Sequence, residues 1–426
     1  MNVSRRELMV GAGAWSAASF AAPAWAQFRV EISGVGATQV PIAIARFRDE
    51  DKSGQLLSGI VRADLERSGL FKGADVTTVL DETGQPQYSD WRSRTVDALV
   101  GGSVTKLADG RFDVRFKLWD VVKGVEVGGQ SNAVAPGDLR LAAHRIADYV
   151  YEKLTGEKGV FSTRIAYVTK AGTRFTLRVA DADGENAQVA LTSPEPIISP
   201  SWAPDGRELA YVSFESQKAV IWSQDVLSGK RSMVVNFRGS NSAPAISPDG
   251  STLAATLSRD GNSQIYVMGR DGGNPRRVTN SNGIDTEPAF SPDGKSLYFV
   301  SDRGGGPQIY RQPVSGGGAE RITFNGSYNI SPAISPDGRT LAYITRNGNA
   351  FKLMVMDLAS GNPQSITDTS DDEKPSFAPN SRLIVFATRA QGHDVLMTTT
   401  LDGKIKARLV STLADVREPD WGPFAR

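Results

Sequence analysis

A short phrase recurs along the second half of the chain at an almost constant interval. It reads PSWAPDG from Pro200, and related copies begin at Pro244, Pro288, Pro332, Pro375 and Pro419. The intervals between these prolines are 44, 44, 44, 43 and 44 residues. A fixed period of this length is typical of repeat architectures, in which each unit is one supersecondary structure.

Each unit predicts four short strands. In the third copy these strands are expected over 286–291, 295–302, 308–314 and 321–324. The first two strands are separated by SPDG, which has the residues of a type I turn, and the others by glycine-rich turns. Four strands in about 44 residues is the size of a β-propeller blade.

The two ends of the repeat region predict a closed ring of six blades. Blocks with the second to fourth strands begin near Arg164, Arg207, Ser251, Lys295, Arg339 and Arg382, and first strands begin near Ile197, Asn241, Asp285, Asn329, Asp372 and Val416. The block at Arg164 has no preceding first strand, and the strand at Val416 has no following block. We expect these two to pair, because closure removes free sheet edges, whereas an open solenoid needs caps.

Residues 27–156 lack the repeat and predict a small α/β domain. The expected fold is therefore multi-domain, with this domain followed by an all-β six-bladed propeller over 160–426. Apolar spacing predicts helices over 53–69 and 136–156, with Ser53 as the N-cap of the first and Gly69 and Gly156 as stops. The segments VDALVGGSVTKL, RFDVRFKLWDVV and VEVGGQSNAV predict strands between the helices.

Residues 1–26 predict an export signal. Arg5 and Arg6 precede a mildly apolar run, and AWA fits a cleavage site between Ala26 and Gln27. The arginine pair favours a twin-arginine signal, with an ordinary secretory signal or a retained anchor as alternatives. Removal of this segment leaves 46 basic and 46 acidic side chains, and this neutral balance argues against nucleic-acid binding.

The sequence gives little support to a catalytic site. The chain has no cysteine, and its two histidines, His144 and His393, fall in different predicted domains, which gives little support to a His metal site or a Ser-His-Asp triad. The acidic loops DADGE at 181–185 and DTSDDEK at 368–374 are expected to be solvated. We expect no cofactor, with a Ca²⁺ ion in the propeller channel left as an open alternative.

Three further segments carry a family resemblance. EKLTGEKGVFSTRIAYV from Glu152, ISPSWAPDGRELAYVSFES from Ile198 and KARLVST from Lys406, together with the repeats, resemble the TolB family, the exported component of the Tol-Pal system of Gram-negative bacteria. The resemblance implies a periplasmic, monomeric, non-enzymatic protein that does not span the membrane. It also implies a link between TolA and the peptidoglycan-associated lipoprotein that maintains outer-membrane integrity and constriction during cell division, with other outer-membrane proteins as further candidate partners.

The residues just before each repeat proline predict a binding ring at one mouth of the propeller. The resemblance carries lipoprotein binding to Thr286 and Glu287 in DTEP, and to Asn241 and Ala243 in NSAP, where Ser242 replaces the family's glycine. Ring position adds Ser331, Glu373, Lys374 and Glu418. Because a proline follows, we expect the residue before it to be extended, as part of a preformed surface.

The predicted mature N-terminus is a second candidate surface. It comprises Gln27, Phe28, Arg29, Val30, Glu31, Ile32 and Ser33. Its alternation suits a strand that adds to another sheet edge, and the resemblance implies TolA as the partner. The alternative is a plain first strand of the small domain.

Two other functions of the whole protein stay open: a propeller enzyme such as a carbohydrate lyase, and a ligand-binding propeller with a closed apolar pocket.

Overall fold

The computed structural model describes residues 39–409 and 415–424, and it has an amino-terminal α/β part followed by a β-propeller. The predicted signal and the candidate strand at Gln27–Ser33 lie outside the described residues. The strands of the α/β part are β1 Val40–Ile44, β2 Phe71–Gly73, β3 Ala98–Lys106, β4 Phe112–Asp120 and β5 Val125–Val134. Its helices are α1 Leu57–Arg67, α2 Tyr88–Ser93 and α3 Leu139–Thr155, with 3-10 turns at Glu50–Ser53 and Pro136–Asp138.

The α/β part is one five-stranded sheet in the order β2-β1-β3-β4-β5. Strand β1 lies parallel to both of its neighbours, and the other pairs are antiparallel. Apolar side chains of α1 and α3 bury one face of the sheet, and Trp91 of α2 covers part of the other. Helix α3 ends as predicted, because Gly156 adopts a left-handed φ of 77° and its N–H bonds to the carbonyl of Glu152.

The predicted N-cap of α1 is wrong. Ser53 belongs to the preceding 3-10 turn, and its hydroxyl donates to the carbonyls of Glu50 and Gln55. The N-terminus of α1 is instead capped from a distance by the buried carboxylate of Glu50. That carboxylate accepts the backbone N–H of Ser58 at 2.9 Å and the Ser58 hydroxyl at 2.7 Å. A buried acid at this end also favours the helix dipole.

The predicted fold class and the six blades are confirmed. Blade 1 consists of β9 Ile197–Trp202, β10 Glu208–Ser213, β11 Val220–Asp225 and β12 Arg231–Val235, and blade 2 of β13 Asn241–Ile246, β14 Thr252–Leu257, β15 Gln264–Gly269 and β16 Arg276–Arg277. Blade 3 consists of β17 Asp285–Phe290, β18 Ser296–Ser301, β19 Gln308–Pro313 and β20 Glu320–Arg321, and blade 4 of β21 Asn329–Ile334, β22 Thr340–Asn347, β23 Ala350–Asp357 and β24 Pro363–Ser365. Blade 5 consists of β25 Glu373–Phe377, β26 Leu383–Ala390, β27 His393–Thr400 and β28 Lys406–Arg408. Blade 6 consists of β29 Asp415–Trp421 with β6 Arg164–Ala171, β7 Arg174–Asp181 and β8 Gln188–Ser193.

The fourth strand of blade 3 is shorter than predicted, because a side chain replaces part of its ladder. We predicted a strand over 321–324, but β20 ends at Arg321. Beyond it the hydroxyl of Thr323 accepts the backbone N–H of Ile309 at 2.9 Å and donates to Gln308. The hydroxyl therefore takes up the donor of β19 that a longer fourth strand would have paired.

The ring closes through β29, which pairs antiparallel with β6, as the sequence predicts. The carboxylate of Asp420 stabilises this closure, because it accepts the N–H of Trp202 in blade 1 at 2.7 Å and the hydroxyl of Ser376 in blade 5 at 2.9 Å. The indole N–H of Trp421 donates to Thr163 at 2.8 Å. Burial raises the pKa of Asp420 to about 6, although the Trp202 and Ser376 hydrogen bonds oppose that rise. One carboxylate thus joins three blades.

The α/β part packs against the end of the propeller that carries the SPDG-type turns. The guanidinium of Arg382 in the blade 5 turn pairs with Glu157, and the Asn380 amide donates to the carbonyl of Lys158. Gly69, just after α1, approaches the β27–β28 turn so closely that a Cβ there would lie 2.9 Å from Cγ2 of Thr400. The opposite mouth, where the first strands begin, faces away from these contacts.

Within residues 39–409 and 415–424, no helix is long and apolar enough to cross a membrane.

The contact at Gly69 can be separated from backbone strain by a matched pair of substitutions. Gly54 and Gly69 have similar φ values of 75° and 79°, but no atom lies within 4 Å of a Cβ at Gly54. We expect Gly54→Ala to lower the free energy of unfolding by about 1 kcal/mol from strain alone. Gly69→Ala should cost about 2–4 kcal/mol, because it also overpacks the domain contact. Urea denaturation of both variants measures the difference, and equal losses would contradict a tight contact at Gly69.

Candidate functional site

The residue before each repeat proline has a left-handed backbone. The φ values lie between 48° and 55° for these six residues, the bulge residues: Ser199, Ala243, Glu287, Ser331, Lys374 and Glu418. The expectation that these residues are extended is therefore wrong. In every blade two residues of the first strand lie opposite a single residue of its partner strand. In blade 3, for example, Thr286–Ala289 pairs with the shorter interval Tyr298–Val300. This β-bulge fixes the local conformation and overrides the preference that a following proline imposes.

The six bulge residues concentrate backbone strain at one mouth of the propeller. A non-glycine residue in the left-handed region costs about 1 kcal/mol, and no bulge residue is a glycine. Bulges bend a strand and redirect its side chains, and they concentrate next to functional sites. Strain repeated in all six blades at one edge is therefore an argument for function at that edge, beyond what folding alone needs.

Two glutamates of the ring connect neighbouring blades. A carboxylate oxygen of Glu287 in blade 3 accepts the backbone N–H of Ser331 in blade 4 at 2.8 Å. Glu418 in blade 6 likewise accepts the N–H of Ser199 in blade 1 at 3.2 Å. Each of these carboxylates therefore holds the bulge of the next blade in place. Thr286 and Glu287 are both half-buried, and the Thr286 hydroxyl accepts a hydrogen bond from Thr256 at 3.3 Å.

Blade 3 has an ion pair at the residue that immediately precedes these two residues in β17. Asp285 is fully buried, and both of its carboxylate oxygens lie 2.9 Å from the Arg303 guanidinium. That guanidinium also lies over the rings of Phe299 and Tyr310, at 5.3 and 5.0 Å from their centroids. The pair and the two rings hold the start of β17 rigidly, so Thr286 is presented from a fixed base.

The NSAP segment is placed differently from its predicted role. The Asn241 side chain is buried, and its amide donates to the carbonyls of Ala219, Phe237 and Gly239. Asn241 therefore supports the loop, while half-buried Ser242 lies nearer the surface and Ala243 supplies the bulge. The structure brings all nine predicted ring residues to the same edge.

A polar cavity of about 180 Å³ opens between blades 5 and 6 at this mouth. Its lining comprises Asp371, Glu373, Ala387, Thr388, Arg389, Asp394 and Arg417. Arg417 pairs with Asp394, whereas one buried oxygen of Glu373 has no hydrogen-bond partner. Burial, followed by the charge of Glu418, raises the pKa of Glu373 to about 7. This carboxyl therefore changes its charge near neutral pH.

One side-chain group in the described part of the chain has the spacing of metal ligands. Asp64, His144 and Asp183 place one donor atom each within 4.8 Å of one another, at the boundary between the α/β part and the propeller. Arg67 and Arg140 already bond to these two carboxylates at 2.7 and 2.5 Å. The arrangement is a salt-bridge network in which cations from the chain take the place that a metal would need.

The sequence did not predict this network or the hydrogen bonds by which Asp420 connects blade 6 to blades 1 and 5. The DADGE loop, predicted to be solvated, has Asp181 and Asp183 largely buried against α3. Asp420 could have been found by aligning the repeats, because the residue after the repeat proline is serine or alanine in the other five copies. An acid at a position otherwise held by small residues signals a special contact.

Comparisons with known proteins agree over the whole described chain. Residues 151–425 match the family described as the TolB beta propeller domain, and residues 28–127 match the TolB amino-terminal domain. A protein called Tol-Pal system protein TolB from Polaromonas sp. (strain JS666) is 72% identical, over 95% of each chain. The protein of that name from Polaromonas naphthalenivorans is 70% identical, over 99% of this chain and 98% of the other. The crystal structure of TolB from Acinetobacter baumannii superposes with a TM-score of 0.84 at 39% identity, over 91% of this chain and 97% of the other.

The raised pKa of Glu373 predicts a pH dependence of stability. Its folded pKa of about 7 lies above the usual 4.5, so the stabilisation is complete below pH 4.5 and is lost as the pH rises through 7. Glu373→Gln should reduce the loss of unfolding free energy between pH 5 and pH 8 by roughly 1–3 kcal/mol. Denaturant titrations at both pH values measure this change, and the comparison cancels the similar titration of Asp420. Parallel curves for wild type and variant would contradict the assignment.

Proposed function

Because the chain belongs to the TolB family, we propose that it works in the Tol-Pal system as a periplasmic protein that binds two partners and has no enzymatic activity. The propeller mouth binds the peptidoglycan-associated lipoprotein, and the segment Gln27–Ser33 binds TolA. By linking these partners the protein supports outer-membrane integrity and constriction during cell division. No cofactor is required for this role.

The repeated bulge at the mouth is the observation that carries the lipoprotein proposal. It holds six backbone segments in one strained conformation on a closed ring, so little ordering is needed when a partner binds. The α/β part contacts the opposite end of the propeller, which leaves this mouth open to a folded partner. Two of the ring carboxylates bond to backbone N–H groups and not to each other, which does not favour a hydrolytic or lyase pair.

The blade 3 sector combines polar and apolar groups in the way that binding centres do. Ile284 lies just before β17 and is 50% exposed, and Phe324 lies in the loop that leads to blade 4 and is 72% exposed. Both belong to loops on the mouth side of blade 3: Ile284 precedes its innermost strand, and Phe324 follows its outermost strand. Large apolar side chains on the same face as a fixed polar pair can supply the buried anchor that most interfaces need, and we place the centre of the lipoprotein interface in this sector.

The N-terminal segment supports the second proposal through its sequence pattern. Gln27–Ser33 alternates apolar and polar residues and directly follows the proposed cleavage site at Ala26. An alternating segment can add to a free sheet edge, where backbone hydrogen bonds give affinity and every second side chain gives specificity. The export signal over 1–26 would deliver it to the periplasm, where TolA and the lipoprotein would be reached from opposite membranes.

The lipoprotein site can be tested at Thr286 and Glu287 without breaking the ring. Glu287→Gln keeps an oxygen for the Ser331 N–H, and Thr286→Ala removes only a hydroxyl and a methyl group. We expect the double variant to bind the soluble domain of the lipoprotein at least tenfold more weakly in calorimetric titrations, because a charge and a contact at the interface centre are lost. Lys295→Gln, exposed at the other end of the same blade, is the matched control and should bind within twofold of wild type. Unchanged affinity of the double variant would remove this pair from the site.

Deletion of Gln27–Ser33 from the mature protein tests the TolA proposal. The variant should lose TolA binding in a pull-down and keep lipoprotein binding, because the deletion removes none of the predicted ring residues. Replacement of the seven residues by glycine and serine keeps the length and should have the same effect. Retained binding of TolA by both variants would reject strand addition through this segment.

A further inference from the structure

A buried imidazole lies at the junction of the two domains. His144 of α3 has a side chain that is only 1% exposed, and its Nδ1 lies 2.6 Å from a carboxylate oxygen of Asp64 in α1. Its Nε2 faces the propeller, where one oxygen each of Asp181 and Asp183 lies 3.7 Å away. These distances exceed a hydrogen bond but suit attraction between opposite charges. The ring therefore contacts an acid of its own domain on one side and two acids of blade 6 on the other.

Two arginines complete the set of charges around the ring. Arg67 of α1 lies 2.7 Å from Asp64, and Arg140 of α3 lies 2.5 Å from Asp183 and 3.5 Å from Asp181. Asp148, farther along α3, is repelled by the charge of Asp64, and its oxygens accept the N–H groups of Phe161 and Ser162. On the propeller side Arg164 acts on Asp181. These groups and the imidazole are the titratable and charged side chains that meet at the junction.

Charge balance requires a proton on His144. Asp64, Asp181 and Asp183 bring three negative charges, and Arg67 and Arg140 bring two positive ones. A neutral imidazole would leave one negative charge uncompensated in a buried site, which is costly, whereas an imidazolium makes the network neutral. Burial alone would lower the pKa of His144, but the carboxylates of Asp181, Asp64 and Asp183 raise it from 6.5 to about 9.

We propose that protonated His144 is an electrostatic latch that holds the α/β domain on the propeller through Asp181 and Asp183. The latch adds to the contacts at Gly69 and Arg382, but among these it alone depends on a titratable proton in a buried site. Of its two propeller acids, Asp181 ends β7 and Asp183 lies in the turn that follows, in the blade that closes the ring. Loss of the proton weakens the attraction between the two domains, because Asp181 and Asp183 then face a neutral imidazole and keep the Arg140 guanidinium.

The latch has a defined pH range. The folded-state pKa lies above 6.5, so the stabilising effect is complete below pH 6.5 and disappears as the pH rises through about 9. At the acid end the charges of His144 and Arg140 hold the pKa of Asp183 below its usual value, against the opposing effect of burial, so that carboxylate keeps its charge well below neutral pH. The domains are therefore latched across the neutral range and released in alkali.

A metal ion is a poorer occupant of the same place. Arg140 already uses the Asp183 oxygen that faces His144, so a dication would have to displace both this guanidinium and the imidazole proton. Zinc is still the natural competitor for an imidazole and two carboxylates, and the experiment must separate it from the proton.

The two histidines make a direct test possible in the mature protein without a histidine tag. NMR titration of the imidazole protons gives one resonance for His144 and one for exposed His393, the internal control. We expect His144 to stay cationic until about pH 9, well above the ordinary imidazole pKa near 6.5. A His144 resonance that titrates at or below 6.5 would overturn the proposal. This measurement needs no variant and so does not depend on whether one folds.

Domain release is measured by protease cleavage in the connection 156–159, normalised at each pH to an unfolded substrate. Wild type should be cleaved at least tenfold faster at pH 10 than at pH 7. His144→Gln keeps a donor for Asp64 but no charge, and Asp181→Asn with Asp183→Asn removes the propeller acids; each should be cleaved rapidly and equally at both pH values. His393→Gln should match wild type. Slow cleavage of His144→Gln at pH 7 would overturn the latch. A zinc-binding measurement on the same variants gives a second way to overturn the latch. One equivalent of tightly bound zinc that is lost in His144→Gln and kept in His393→Gln would show that the network is a metal centre.

Discussion

The closing pair of strands, β29 on β6, is the constraint on which the rest of the structure depends. Only when this pair forms do six four-stranded sheets share one axis, and only then do their first strands form a ring. The pairing is reinforced by Asp420, whose carboxylate receives a donor from blade 1 and another from blade 5. Burial of this carboxylate costs free energy, as its raised pKa shows. The carboxylate lies on β29, the strand whose pairing with β6 joins distant parts of the chain.

At the mouth of the propeller, the backbone determines the shape of the ring and the side chains determine its chemistry. The bulge is the same in all blades, so the circular shape does not depend on which side chain occupies each position. The side chains differ, and Glu287 and Glu418 also hold the neighbouring bulge through a backbone N–H. A partner that competes for either carboxylate would therefore act on the seam between two blades as well as on the surface.

The sequence predicts the features that come from local patterns. The 44-residue period, the SPDG turns and the unpaired elements near Arg164 and Val416 were sufficient for the blade count and for the way the ring closes. Gly156 correctly marks the end of α3. Local rules failed where a distant group acts: Glu50 caps α1 in place of Ser53, and ladder pairing fixes the bulge against the preference before proline. The network at His144 joins residues from two helices and a propeller turn, and no local pattern brings Asp64, His144 and Asp181 together.

The order of the closing strands along the chain has a consequence for biosynthesis. About 250 residues separate Arg164, at the start of β6, from Asp415, at the start of β29. At roughly 5–20 residues per second, the ribosome needs about 10–50 s to add them. During this interval the inner edge of β6 has no partner, and an unpaired strand of buried apolar residues invites association with other nascent chains. The blade that closes the ring is therefore the last one that can be completed during synthesis.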